Sequence, residues 1–166
     1  YRFRVAEEAA KGFSYDWDIP TDTVTRSDSL KRILGYTPAE LGSNWDSWRV
    51  IVDPADGPAD KEAAIAFLSG QPTDTVDAEY RVRDKHGDEH WMHERAMLLR
   101  DEHGQLIRVI GQTVDITERK ATEKRLRESE ARFRQLADAT PVLVWISDTT
   151  KACTYFNYHW LQFTGR

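Results

Sequence analysis

The sequence predicts an α+β domain in which strands and helices fall in separate runs. Three observations carry this. Val76, Ala78, Tyr80 and Val82 alternate with Asp77, Glu79, Arg81 and Arg83, the two-residue period of a half-buried strand. Two short turns of the same chemistry, Asp84-Lys85-His86-Gly87 and Asp101-Glu102-His103-Gly104, then join three consecutive strands, which makes an antiparallel meander. Short helical pieces precede this meander and a long charged helix follows it.

In chain order, Tyr1 to Lys11 reads as a helix stopped by Gly12. Phe13 to Ile19 and Thr23 to Arg26 read as strands joined by the turn Pro20-Thr21-Asp22. From Ser27 to Val52 the pattern is of short helices. Ser27 or Asp28 is placed to cap the first and Gly35 to end it, while Pro38 suits the first turn of the next. Asp60 to Leu68 is helical, with Ala63, Ala64, Phe67 and Leu68 at helical spacing and Gly70 behind them. The meander occupies Val76 to Arg83, His90 to Arg100 and Leu106 to Asp115. From Thr117 to Ala139 the chain turns helical and polar. Glu123/Arg127, Glu128/Arg132 and Glu130/Arg134 are four-residue pairs in the favourable order. Leu126, Phe133 and Leu136 form a thin apolar seam interrupted by Thr122 and Ser129, a marginal coiled coil. Asp115 and Glu118 have capping-box spacing at its start.

Composition narrows the function classes. The 166 residues carry 23 Lys+Arg against 28 Asp+Glu, a formal charge of -5, which argues against a general nucleic-acid binder. The basic residues of the long helix are interspersed with acids, so they read as a solvated face. Apolar residues make up 40%, enough for a core, but no run is long enough to span a bilayer. The single cysteine, Cys153, excludes an internal disulfide and a cysteine-built zinc site. The reading is a cytoplasmic domain, and a chain opening on Tyr1 reads as part of something longer.

The chain also repeats itself. Arg2-Phe3-Arg4 recurs as Arg132-Phe133-Arg134, and at the same offset of 130 Tyr15 meets Trp145 and Gly35 meets Gly165. One complete unit and the opening third of a second are expected. The second carries Val142, Leu143, Val144, Trp145, Ile146, Tyr155, Phe156, Trp160, Leu161 and Phe163 without the strands that would cover them. Burying each large apolar side chain is worth roughly 1.5–3 kcal/mol, so this segment is expected to be disordered or packed on another chain.

Element order and residues together resemble the PAS sensor family. The resemblance rests on Glu79-Tyr80-Arg81, Lys85-His86-Gly87, Trp91, Asp101-Glu102-His103-Gly104 and, above all, Gly111-Gln112-Thr113-Val114-Asp115-Ile116-Thr117-Glu118-Arg119 with its "DIT" junction. From Phe133 onward, Trp145-Ile146-Ser147-Asp148, Tyr155-Phe156-Asn157 and Trp160-Leu161 resemble the start of another such domain. The sequence departs from the family at Asp53-Pro54-Ala55-Asp56, where relatives often carry His-Pro-x-Asp. The resemblance implies a five-stranded antiparallel sheet cupping a small cavity, short helices on one face and a C-terminal linker helix. It also implies a sensory or dimerisation module of a bacterial histidine kinase or cyclic-dinucleotide enzyme. The expected organisation is a flanking helix at 1–12, a PAS domain at 13–117, a helical signalling linker at 118–139 and the start of a second PAS domain at 140–166. A homodimer through the flanking helices and the sheet face is expected, with an effector elsewhere in the parent chain. The alternative is a ligand-free structural interaction module, its cavity filled by its own side chains.

Candidate cavity residues are Tyr80, Val82, Met92, Glu94, Val109 and Thr113, and candidate relay residues are Asp115 and Thr117. If Met92 faces the cavity, strand alternation brings Glu94 and Ala96 with it, along with Ile107, Val109, Gly111 and Thr113. A carboxylate in an apolar cup needs a partner, so Glu94 is either a ligand handle, paired with a nearby arginine, or drawn to solvent at the rim. Trp91, His93, Arg95 and Met97 fall on the other face, which needs a cover such as the Tyr1–Lys11 helix or a partner chain. The cofactor is left open. Flavin is disfavoured because the positions that hold its ring edge in light-sensing relatives are Val82, Met92 and Thr113, none an amide, and Cys153 lies outside the unit. Haem is disfavoured because Asp60 to Gly70 contains no histidine. His86, His90 and His93 read as solvated or sheet-surface histidines rather than a metal site. No catalytic constellation stands out.

Overall fold

A computed structural model describes residues 11–165. The expected Tyr1–Lys11 helix lies outside the described residues, apart from Lys11 itself. Gly12, read as its stop, instead opens a strand, and the left-handed turn falls on Lys11 (φ 51°). The chain divides into two units, Tyr1–Glu118 and Arg119–Arg166.

The first unit begins with β1 (Gly12–Asp18) and β2 (Thr23–Arg26). Three short helices follow, α1 (Ser29–Leu34), α2 (Pro38–Leu41) and α3 (Trp45–Arg49), then α4 (Lys61–Ser69). The meander is β3 (Thr75–Arg83), β4 (Glu89–Arg100) and β5 (Leu106–Asp115). These five strands form one antiparallel sheet in the order β2-β1-β5-β4-β3. The first strand therefore lies beside the last, in the middle of the sheet.

Local chemistry sets the joints. In both meander turns an aspartate leads, Asp84 or Asp101. Its Oδ1 accepts the N–H groups two and four residues on at 2.8–2.9 Å. Gly87 and Gly104 supply the positive φ, 92° and 79°. Pro38 opens α2 behind Thr37, whose hydroxyl and the Glu40 carboxylate complete a capping box. At α1, Asp28 occupies the cap position without a side-chain cap bond. The Ser27 hydroxyl is used elsewhere, accepting from Ser14 N (3.2 Å).

The core has two lobes. Phe13, Leu30, Leu34, Val82 and Met92 centre the first, and Trp17, Val24, Ala96, Leu98, Leu106 and Val109 the second.

In the second unit the helix α5 (Thr117–Ala139), which begins in the first unit, leads to a hairpin, β6 (Trp145–Ser147) with β7 (Cys153–Phe156), and to α6 (Tyr158–Thr164). The Leu126 and Leu136 side chains of the thin seam are exposed, and Lys124 pairs with Glu128 along this helix at 3.9 Å. Of the two alternatives expected for this segment, disorder or packing on another chain, disorder does not hold: the segment is folded, and its staple is Asn157. This fully buried amide donates to the Ala137 and Val142 carbonyls (2.7 and 2.9 Å) and accepts from Val144 N and Trp160 N (3.0 and 3.2 Å). All four of its hydrogen-bonding positions are used. Its apolar cover is missing, as expected: Trp145 is 53% and Phe163 78% exposed.

Candidate functional site: a sheet-floored cavity

A cavity of about 520 Å³ lies over the concave side of the first unit's sheet. Its floor is set by register. Glu94 of β4 stands between Ala78 of β3 and Thr113 of β5, while Tyr15 of β1 stands opposite Gly111 of β5. A β-carbon at Gly111 would fall 2.6 Å from Cε1 of Tyr15. The bare glycine is what lets the phenol ring lie across β5. Tyr15 thereby reaches β4 and donates its hydroxyl to Oε1 of Glu94. Burial, then the Glu94 charge, pushes the Tyr15 phenol well above its usual range, so it stays a neutral donor. Of the alternatives weighed for Glu94, no arginine pairs with it among the described residues, and the half-buried carboxylate takes this phenol as a partner.

Tyr80, Val109 and Thr113 line the cavity together with Glu94. Val82 and Met92, expected there too, pack instead into the adjacent core, both fully buried. They cluster with Leu30, Leu34 and Ile51, which also stand back from the cavity. Ala96 is likewise a core residue. Trp45, Trp48, Phe13 and Phe67 supply aromatic walls, and Trp48 meets Phe13 and Tyr80 edge-on at 5.6 and 6.4 Å.

Arg26 also lines the cavity, and it is buried. Its guanidinium donates to the Gly42 carbonyl (2.7 Å) and faces the Trp48 ring at 5.6 Å. A charged residue on a four-residue strand gave no sequence signal of burial. A glycine inside a strand pattern, as at Gly111, is the signal that could have pointed to a close approach, though not to which side chain would use it.

At the mouth, the segment Asp53-Pro54-Ala55-Asp56 is tied to the sheet. Asp56 grips Arg81 of β3 with two oxygens, at 2.6 and 2.9 Å from Nε and Nη2, and accepts the Arg81 N–H at 3.0 Å. Asp53 lies 3.6 Å from the same guanidinium. Ala55, Asp56, Gly57 and Pro58, which line this side, are thus fixed to the sheet.

The exit from the sheet is bonded as densely. Asp115 accepts from Thr117 N at 2.8 Å, and its other oxygen meets Nδ1 of His90 at 2.9 Å. Nε2 of His90 lies 3.3 Å from Asp84. Thr117 Oγ1 accepts from Trp91 N (2.9 Å), and Ile116 N donates to the Trp91 carbonyl (2.8 Å). The Asp115 N–H donates to the Lys11 carbonyl (3.0 Å), and the Glu118 carboxylate pairs with Lys11 Nζ at 3.0 Å. Burial pulls the His90 imidazole down, but the bonds and charges of Asp115 and Asp84 outweigh it and its pKa is raised. Burial works against the Asp115 carboxylate as well, yet the Thr117 and His90 bonds hold it below the usual range.

His90, read as solvated or sheet-surface, is a strand residue that bridges two carboxylates. His93 meets Asp77 at 2.7 Å, and Arg95 joins the same carboxylate at 3.0 Å. Among the described residues no group of three or more His, Cys, Asp or Glu is placed to hold a metal ion, and no helix is long and apolar enough to cross a membrane. On the outer sheet face Met97 is 62% exposed, while Arg81 covers the Trp91 ring at 5.6 Å.

Comparison with known proteins matches this architecture to one family twice over. A family model described as "PAS fold" matches residues 23–113, and one described as "PAS domain" matches residues 131–166. The uncharacterized protein y4lL of Sinorhizobium fredii is 36% identical over 80% of this chain, and the two-component sensor PprA of Pseudomonas aeruginosa is 31% identical over 79%. The chain spans only 16% and 14% of the length of those two relatives. A crystal structure of a sensory box histidine kinase/response regulator from Burkholderia thailandensis superposes with a TM-score of 0.59 at 29% identity, covering 81% of this chain and 99% of that one.

Proposed function

The chain belongs to the PAS family, and on that premise we propose that its first unit senses a small molecule in the sheet-floored cavity and relays occupancy through Asp115 and Thr117 into α5. The observation that carries this is the exit: the last strand of the cavity floor runs into the helix through a junction bonded to the start of β4 and to Lys11. A change of curvature in β4 or β5 must move the first turn of the helix. Two packings of a polar, weakly seamed helix differ by little, so a modest bias at the sheet shifts their populations.

The accompanying organisation is a sensory unit over 13–117, a linker over 118–139 and a second PAS unit beginning near 140, with a flanking segment over 1–12. The parent is a cytoplasmic sensor, a histidine kinase by the company of its relatives, working as a homodimer through flanking helices and the outer sheet face. The residues proposed to serve the cavity are Tyr80, Glu94, Val109 and Thr113. A ligand-free interaction module would need this space filled, and a cavity of about 520 Å³ speaks for the sensory reading.

The test is Asp115→Asn in the full-length parent, with circular dichroism as the folding control. Effector output that shifts while the fold is intact supports the relay. Output indistinguishable from the unaltered parent overturns it.

A further inference from the structure

The cavity holds two opposite charges that do not meet. Arg26, only 8% exposed, gives its hydrogen bonds to main-chain oxygens, Gly42 at 2.7 Å and Asn44 at 3.5 Å. Among the described residues no carboxylate comes within ion-pair distance of it, and burial pulls its pKa down to about 10. A guanidinium has five donors, so several remain for a guest. Glu94 accepts from the Tyr15 hydroxyl, and the Tyr80 phenol lies beside it. Beside Glu94, Tyr80 Oη and Thr113 Oγ1 are buried, line the cavity and, among the described residues, make no well-formed hydrogen bond.

Buried polar groups are normally satisfied, and buried charges are paired. Four polar groups short of partners around one aromatic-walled space therefore describe the complement of a guest. Arg26 stands on β2 and Glu94 on β4, with β1 and β5 between them. At about 4.8 Å per strand their main chains are roughly 14 Å apart, a span whose middle a metabolite-sized body would fill. A simple anion would be repelled by Glu94 and a simple amine by Arg26. A wholly apolar guest would leave both charges and both hydroxyls unanswered.

We propose that the cavity binds a small ring-bearing molecule with two unlike ends, an acidic group held by Arg26 and an N–H or ammonium donor held by Glu94, aromatic α-amino acids being the simplest such class. Its ring lies against Trp48 and Phe13, and the Tyr80 and Thr113 hydroxyls complete its polar contacts. This rests on the sensory reading of the cavity.

The test is calorimetric titration of the 166-residue chain with four probes of one skeleton: L-tryptophan, tryptamine, indole-3-propionate and indole. L-Tryptophan is expected to bind at least tenfold more tightly than the other three. Glu94→Gln is expected to erase its advantage over indole-3-propionate, and Tyr80→Phe to weaken it several-fold. These variants carry the test because Arg26 also holds the Gly42 and Asn44 carbonyls. Tryptamine, indole-3-propionate or indole binding as tightly as L-tryptophan overturns the two-ended site and leaves the sensory cavity standing. If no probe binds, native mass spectrometry of the chain from its own host decides. A co-purifying ligand with both groups supports the proposal, one lacking either overturns it alone, and an empty cavity overturns it and the sensory reading together.

Discussion

The two copies of the opening β-β-α motif are bonded alike and buried differently. Adding 130 to the bounds of β2 gives those of β7, and adding it to Gly35 gives Gly165, both left-handed helix ends (φ 76° and 71°). Ser27 and Ser14 exchange two bonds, Ser14 N to the Ser27 hydroxyl (3.2 Å) and Ser27 N to the Ser14 carbonyl (2.9 Å). Asn157 and Val144, at the same offset, exchange the same two at 3.0 Å each. In the first copy β1 is flanked by β5 and its Phe13 is 1% exposed. In the second, β6 pairs with β7 alone, and Leu143, the counterpart of Phe13, is 44% exposed. Main-chain bonding and caps suffice to shape the motif. The late strands are what turn it into a core.

The largest effect tests that difference directly. Phe13→Ala should cost the first unit about 3–5 kcal/mol and Leu143→Ala about 0.5 kcal/mol, read by urea denaturation. Equal losses would mean that the second copy is covered in solution. Next comes the staple. Asn157→Ala strands several buried main-chain groups and should cost the second unit roughly 2–3 kcal/mol, against about 1 kcal/mol for Ser27→Ala. Hydrogen exchange across 144–165 would show the former as faster opening of that unit.

Gly111→Ala sets a β-carbon against the Tyr15 ring and should cost about 1–3 kcal/mol. Tyr15→Ala in the same chain should recover part of this, a coupling readable in a double-mutant cycle. Trp145 holds the Tyr15 position in the second copy, half exposed, and its truncation should change stability little. The smallest effect is on pH. His90 has a raised pKa, so its bridge stabilises fully below the unfolded imidazole value of about 6.5 and is lost as pH rises through the folded value. Asp115 is depressed, so its share is present above about 3.9 and lost as pH falls through its folded value. The first unit's pH profile should flatten on its alkaline side in His90→Gln, by about 1 kcal/mol, while that of the second unit stays unchanged. A profile unaltered in His90→Gln would show that the bridge contributes nothing.

Much of the fold was legible because it is written in short-range pattern. The alternation at 76–83, the paired Asp-led turns and the 130-residue offset each depend on neighbours a few positions apart, or on simple recurrence. The site was less legible because register decides it. Tyr15 meets Glu94 across 79 positions only because β1 lies beside β5 and Gly111 leaves room. Alternation correctly put Met92 and Glu94 on one face, but not which would reach the open space. Arg26 ends a four-residue strand, and no local rule announces that the Gly42 carbonyl and the Trp48 ring will enclose it. Asp56 shows the same limit, since its partner Arg81 lies 25 positions away.

Because the first strand lies beside the last, the Lys11 carbonyl meets the Asp115 N–H at 3.0 Å. The polypeptide thus comes into the sensory unit and departs from it at a single doorway. A bead threaded this way can be duplicated, removed or exchanged along a string without rerouting the thread on either side. Stringing such beads one after another is a geometric privilege of that doorway, and in this chain the next bead opens 130 residues further on.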